Sequence, residues 1–308
     1  MINVTVIGFG HVGSALTLLL LNNLHPLRIN VMEPSKTCEG AILDMAHGMS
    51  LYQNKALHLN DEELFLHADF IFFTAGATNT QGNSRLSIVN QNIQLSKEIF
   101  EPRTFTRNTY IIVITNPVDI ISHSVQLFSG LPAENVIGTG TFLDSMRLEY
   151  YLSTLTPYQP TDFKAIVLGE HGASQVPIYS MTKLNGQPIL SHSALKSQDL
   201  ELAASLTRNA AFEIRKTQKA TTYGVSKCAA TILDYLLGDE QYTIPLSVLT
   251  NEYFRKMLNL DHDIYISLPV IVNKGKIEIN SGFEFTNEEL NSLRKSAAIL
   301  ASIIKPNL

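Results

Sequence analysis

Gly169-Glu170-His171-Gly172 directly follows the apolar run Ala165 to Leu168. A histidine at the end of a buried strand and flanked by glycines is placed to face a cleft, and imidazole is the side chain best suited to exchange a proton near neutral pH. The other histidines (His11, His25, His47, His58, His67, His123, His192, His262) show no metal-ligand spacing and read as structural, so no metal site is expected. In Thr141-Phe142-Leu143-Asp144-Ser145-Met146-Arg147, Asp144 and Arg147 stand at i and i+3 of a helical stretch and project from one face. An aspartate there can orient an imidazole and favour its charged form, and an arginine can hold a carboxylate through two parallel hydrogen bonds. An Asp–Arg surface pair would have the same spacing, and spacing alone leaves both readings open.

Gly8-Phe9-Gly10-His11-Val12-Gly13 has the Gly-x-Gly-x-x-Gly spacing and sits where a first strand ends and a first helix opens, the context this motif requires. Gly8 allows a tight turn, Gly10 lets the backbone approach a pyrophosphate, and Gly13 lets helix and strand pack closely. The helix N-terminus offers N–H groups and a positive dipole end to the anion. Glu33 follows 20 residues after Gly13, at the end of the second strand, where a carboxylate takes ribose hydroxyls. It would repel a 2'-phosphate, so NAD is favoured over NADP, with Lys36 the one nearby cation. A glycine-rich turn without a ligand is the competing reading.

These residues need a scaffold, and the hydrophobic pattern supplies one. Extended runs at Ile2 to Ile7, Arg28 to Met32, Phe70 to Thr74 and Tyr110 to Thr115 alternate with helical stretches at His11 to Leu24, Thr37 to Met49 and Leu86 to Phe100. The last helix would bury Leu86, Val89, Ile93 and Ile99. Strands alternating with helices imply a doubly wound parallel α/β sheet, the Rossmann arrangement. The second half reads differently: a hairpin over Met181 to Leu190 turning at Asn185-Gly186, helices at Gln198 to Gln218 and Val225 to Leu237, strands at Tyr242 to Thr250 and Ile264 to Val272 with a turn at Asn273 to Gly275, and a closing helix at Asn287 to Ile304. This is a second, α+β domain. A boundary near Gly140 gives a dinucleotide-binding domain over 1–140 and a substrate domain over 141–308.

Composition fits two packed domains. Of 308 residues 45% are hydrophobic and 17% charged, and the formal charge is -5, which argues against a general binder of nucleic acid or of anionic membranes. Cys38 and Cys228 lie too far apart for a Cys-x-x-Cys site and fit a reducing compartment. The longest strongly apolar stretches, Ala15 to Leu21 and Tyr110 to Ile114, are too short to span a bilayer, and the expected location is cytoplasmic.

In order along the chain, the turn at Gly8, Gly40-Ala41-Ile42-Leu43-Asp44, Thr74-Ala75-Gly76-Ala77, Asn116-Pro117-Val118-Asp119, Gly138-Thr139-Gly140-Thr141 with Asp144 and Arg147, and Gly169-Glu170-His171-Gly172 resemble the L-lactate and malate dehydrogenases over nearly the whole length. Asn116-Pro117-Val118-Asp119 is more similar to the lactate branch. The resemblance implies that His171 is the proton donor and acceptor, that Asp144 fixes and charges it, and that Arg147 anchors the substrate carboxylate. It implies that Arg85 polarises the carbonyl, and that Asn116 binds near the nicotinamide and the reacting oxygen. Gly8, Gly10, His11, Val12, Gly13, Glu33, Thr74, Ala75 and Gly76 would hold NAD. Asn79 and Thr221 would face the substrate. Where Asn79 stands, lactate enzymes usually carry glutamine and malate enzymes arginine, so a dicarboxylate would lack its counter-charge while a larger side chain gains room. Proline is usual at Gln81, and Ala173-Ser174-Gln175 departs from the usual Asp-Thr or Asp-Ser. These departures resemble the L-2-hydroxyisocaproate dehydrogenases. The expectation is an NAD-dependent L-2-hydroxyacid dehydrogenase acting on pyruvate or a bulkier aliphatic 2-oxo acid, as a homodimer or homotetramer. A malate dehydrogenase and a non-catalytic dinucleotide-binding protein are the alternatives. Glu149 and Lys164 stand where sugar-bisphosphate-activated lactate enzymes carry arginine and histidine, so no such activation is expected.

Overall fold

The computed structural model describes residues 1–77, 85–192 and 195–304, apart from the side chains of residues 85 and 86. The chain divides into two compact units, Met1–Gly138 with Thr222–Asp234, and Thr139–Thr221 with Tyr235–Leu308.

The first unit runs β1 Ile2–Ile7, α1 His11–Leu21, β2 Leu27–Met32, α2 Glu39–His47, β3 Lys55–Leu59, α3 Glu62–Leu66, β4 Phe70–Phe73, α4 Arg85–Phe100, β5 Tyr110–Val113, α5 Val118–Ser129 and β6 Val136–Gly138. Its strands pair in parallel in the order β6-β5-β4-β1-β2-β3. This is the doubly wound sheet that the alternating periods predict. Ile7, Ile71, Phe73, Ile111 and Val113 form one core with Phe65, Phe100, Val118 and Ile121 from the helices. The alternate residues Val4, Val6, Phe70, Phe72 and Ile112 are also buried, so the strands are covered on both faces, as the continuous apolar runs require. Strand order reverses between β1 and β4, and ligands of such sheets bind beyond the carboxyl ends of the strands at that reversal.

Two expectations change. The first helix ends at Leu21, where the Asn22 side chain donates to the Leu18 carbonyl, and Leu24 is fully exposed. The deeply buried side of α4 is Asn92, Ser96 and Phe100, while Val89, Ile93 and Ile99 are half-buried; Leu86 lies outside the described side chains. Asn92 wins the buried position because its amide serves two loop peptides, described below.

The second unit holds α6 Phe142–Thr154, β7 Phe163–Lys164, β8 Val167–Leu168, β9 Val176–Pro177, β10 Lys183–Leu184, β11 Gln187–Pro188 and α7 Ser197–Arg215. After α8 Tyr223–Leu237, which opens in the first unit, come β12 Tyr242–Leu249, α9 Glu252–Met257, β13 Tyr265–Asn273, β14 Lys276–Ile279 and α10 Asn287–Ile303. β12, β13 and β14 form an antiparallel meander. The hairpin β10–β11 turns at Asn185 and Gly186, both at positive φ (49° and 79°), as an Asn-Gly turn requires. Thr286 and Glu289 close a reciprocal capping box that starts α10.

Candidate active site

In the first unit the glycine turn is built from close contacts that only hydrogen allows. Gly8 has φ +90°, and a Cβ on it would lie 2.7 Å from the Ala75 backbone; one on Gly13 would lie 2.0 Å from the Gly8 carbonyl oxygen. Gly10, by contrast, faces open space, with nothing within 4 Å of a Cβ. It precedes α1 and, having no side chain, puts no capping group over the first N–H groups of that helix. A turn of this geometry leaves room for a diphosphate to approach the backbone at Gly10. Glu33 accepts from the Phe9 amide (2.9 Å) with one oxygen and from the Ser35 amide (3.0 Å) with the other. Its backbone is clamped by Asn60, which accepts from Glu33 N and donates to Glu33 O. A carboxylate so braced keeps lone pairs for ribose hydroxyls.

The ends of β1, β4 and β5 are cross-braced by side chains. The Thr74 hydroxyl lies 2.9 Å from the carbonyls of both Ile7 and Gly8, and Thr115 donates to the Ala75 carbonyl (2.6 Å). Asn92, 2% exposed, accepts from Ala77 N (2.7 Å) and donates to Asn116 O (2.8 Å). Asn116 precedes the cis-proline Pro117 and its side chain is exposed. Thr74 and Ala75 thus brace the turn from beneath, and Gly76 is exposed beside them. Ser226 of α8 adds a bond to the Val12 carbonyl.

In the second unit, His171, Asp144 and Arg147 converge. His171 Nδ1 lies 2.6 Å from Asp144 Oδ2, and Arg147 Nη1 donates to Asp144 Oδ1 at 3.0 Å. Asp144 is 3% exposed, which rules out the surface-pair reading. Burial pushes its carboxyl up, but the charge and hydrogen bond of His171, followed by those of Arg147, outweigh it and hold the carboxyl below its usual range. One guanidinium donor faces Asp144, and the fork has others for a substrate carboxylate.

This geometry follows from one face of α6. Thr141, just before the helix, donates to the Val167 carbonyl, Ser145 accepts from Val167 N (2.9 Å), and Glu149 accepts from Ala165 N (3.0 Å). Residues four apart thus meet successive polar groups of the strand that leads to His171. Beyond it, Gly169 (φ +91°) bridges to Ser267, and Glu170 N and the Ser174 hydroxyl both bond Ser296 of α10. The side chain of Gln175 is directed at Asp144.

The sequence gives no role to Asn60, Asn92, Thr115 or Ser145, and it marks Gln175 only as part of a departure from the family pattern. A polar residue in the buried phase of a helix, as at Asn92 and Ser145, was the available signal. Thr221 is half-buried two residues before α8. Asn79, Gln81 and the Arg85 side chain lie outside the described residues. Cys38 and Cys228 are free and buried. Among the described residues no cluster could hold a metal ion, and no helix is long and apolar enough to cross a membrane.

Residues 2–138 match the lactate/malate dehydrogenase NAD binding domain, and residues 141–308 match the alpha/beta C-terminal domain of the same enzymes. An L-lactate dehydrogenase of Bacillus velezensis is 30% identical, covering 99% of this chain and 96% of its own length. One from Clostridium botulinum is 28% identical, covering 98% and 95%. Among solved structures, the minor L-lactate dehydrogenase of Enterococcus mundtii in a ligands-bound form superposes with a TM-score of 0.89 at 28% identity, over 99% of this chain and 98% of that one. A lactate dehydrogenase from a Medee basin deep-sea metagenome library gives 0.89 at 27%, over 98% of both chains.

Proposed function

The chain belongs to the lactate/malate dehydrogenase family, and from that membership we propose that it is an NAD-dependent L-2-hydroxyacid dehydrogenase of the lactate branch, acting on pyruvate or a bulkier aliphatic 2-oxo acid. The observation that carries this reading is the buried Asp144 carboxylate held between His171 and Arg147. Residues 1–140 bind the dinucleotide and residues 141–308 carry the substrate chemistry. The turn at Gly8, Gly10, His11, Val12 and Gly13 holds the diphosphate, Glu33 the ribose, and Thr74, Ala75, Gly76 and Asn116 support the nicotinamide half.

NAD, when bound, supplies and accepts the hydride at its nicotinamide ring. The remaining work falls to side chains. With Nδ1 committed to Asp144, His171 gives its proton from Nε2 to the carbonyl oxygen during reduction and takes it back during oxidation. Asp144 keeps the ring oriented and favours its charged form. Arg147 holds the substrate carboxylate, and Arg85 stabilises the negative charge that builds on the oxygen. Asn79 and Thr221 are assigned to the substrate side chain from the family resemblance. Asn79 brings no cation, which disfavours a dicarboxylate and the malate alternative. We place the enzyme in the cytoplasm as a homodimer or homotetramer, following the family.

Following NADH absorbance with pyruvate, 2-oxoisocaproate and oxaloacetate tests this. The expected order puts either monocarboxylate ahead of oxaloacetate in kcat/KM. Preference for oxaloacetate, or no turnover of any 2-oxo acid, overturns it.

A further inference from the structure

We propose that Gln175 is a positioning residue for proton exchange: its amide nitrogen shares a hydrogen bond between the two oxygens of Asp144, fixing the plane of that carboxylate under His171 without adding a second negative charge. The inference rests on the reading of His171 and Asp144 as the proton-exchanging pair.

Gln175 is 5% exposed, and one end of its side-chain amide stands 3.1 Å from Asp144 Oδ1 and 3.3 Å from Oδ2. An ionised carboxylate accepts only, so the amide must present nitrogen rather than oxygen to it. The aspartate χ2 torsion is soft, and rotamer preference does not set the carboxylate plane. Three donors set it here: His171 on Oδ2, Arg147 on Oδ1, and Gln175 across both. His171 and Gln175 belong to one connection, since Leu168 of β8 pairs with Val176 of β9. That connection is tied down by the Gly169–Ser267 bridge and by Ser296, which bonds Glu170 N and Ser174. Proton donor and carboxylate clamp therefore sit on one braced connection.

Neutrality is the second half of the function. Among the described residues the charged groups bonded here are Asp144, Arg147 and His171, with Glu170 on the same connection bonded to Ser174. Two carboxylates sharing a site cannot both ionise easily, so an acid at position 175 would hold or lose its own proton within the working pH range. An amide donates at every pH.

The test uses the full-length chain and its Q175M, Q175E and D144N variants. For each, kcat and KM for pyruvate and 2-oxoisocaproate are measured with NADH across the range in which carboxylates and histidine titrate. Q175M keeps size but not the donor, and is expected to lose about tenfold in kcat with little change in KM. In Q175E the protonated acid restores the donor, so kcat recovers at the acid end and falls as the new group ionises, adding a break to the pH profile. A residue needed only for packing would give no such pH-dependent rescue. Parental kcat and pH profile in Q175M, or a Q175E profile without the added break, overturns the proposal. If Q175M fails to fold, the Q175E profile alone decides. Loss of activity in D144N with parental Q175M rejects the role of Gln175 while leaving the acid–base reading intact. Parental activity in D144N rejects that reading itself.

Discussion

Asn92 joins two loops of the sheet by donating to the Asn116 carbonyl across 2.8 Å while accepting from Ala77 N across 2.7 Å. An amide in the middle of a helix thus does the work of a missing backbone ladder between the ends of β4 and β5. Asn92→Leu keeps the branched shape and removes both hydrogen bonds, each worth about 1 kcal/mol. The expected result is a lower Tm together with weaker NADH binding, read by melting and by fluorescence titration. A variant that melts lower yet binds NADH like the parent would restrict Asn92 to a stabilising role.

Gly10 and Gly13 separate binding from folding. A methyl on Gly10 meets open space, whereas one on Gly13 lies 2.0 Å from the Gly8 carbonyl oxygen. Gly10→Ala should melt with the parent while its Kd for NADH rises roughly tenfold or more, the methyl standing where the diphosphate approaches. Gly13→Ala should lose both stability and binding. Unchanged NADH affinity in Gly10→Ala would remove the diphosphate from this turn.

Glu149 makes stability depend on pH. Burial pushes its carboxyl up from 4.5 to about 7, against the opposing pull of the Ala165 amide and Lys164. Between those values the unfolded chain has released the proton and the folded chain still holds it. The folded state therefore binds more protons, and stability falls as pH rises through that window, by on the order of 3 kcal/mol in all. Glu149→Gln still accepts from Ala165 and never ionises. Its Tm should match the parent at the acid end and exceed it by a few degrees above about pH 7. A Tm difference that does not vary with pH would refute this.

The same inward position of Glu149 bears on effectors. This carboxyl is turned to Ala165 N and feels the charge of Lys164, and the expectation from the sequence is that the pair gives no basic site for a sugar bisphosphate. Adding fructose bisphosphate should leave the KM for pyruvate unchanged, and a large fall in KM would contradict the reading.

The glycine turn, Glu33 and the His171 segment were legible because their signal is local: residue types at fixed spacing beside a change of hydrophobic period. Asp144 and Arg147 were legible as a pair, but only the burial of Asp144 separates a site from a surface ion pair. The roles of Asn92 and Gln175 escaped because their partners are far away in sequence. Asn92 serves backbone groups, which carry no identity in the sequence, and Gln175 serves a carboxylate on a different element. The expected buried side of α4 failed for the same reason. Counting apolar residues assigns Val89, Ile93 and Ile99 to the interior, while the hydrogen-bonding demand of two loops assigns Asn92.

Thr141, Ser145 and Glu149 key α6 to its strand at each turn. Rotating or sliding the helix by even one residue would unseat all three contacts and carry Asp144 and Arg147 away with them. Selection for new substrates therefore has little freedom on this helix. Change is easier at positions that do not key a helix to its strand.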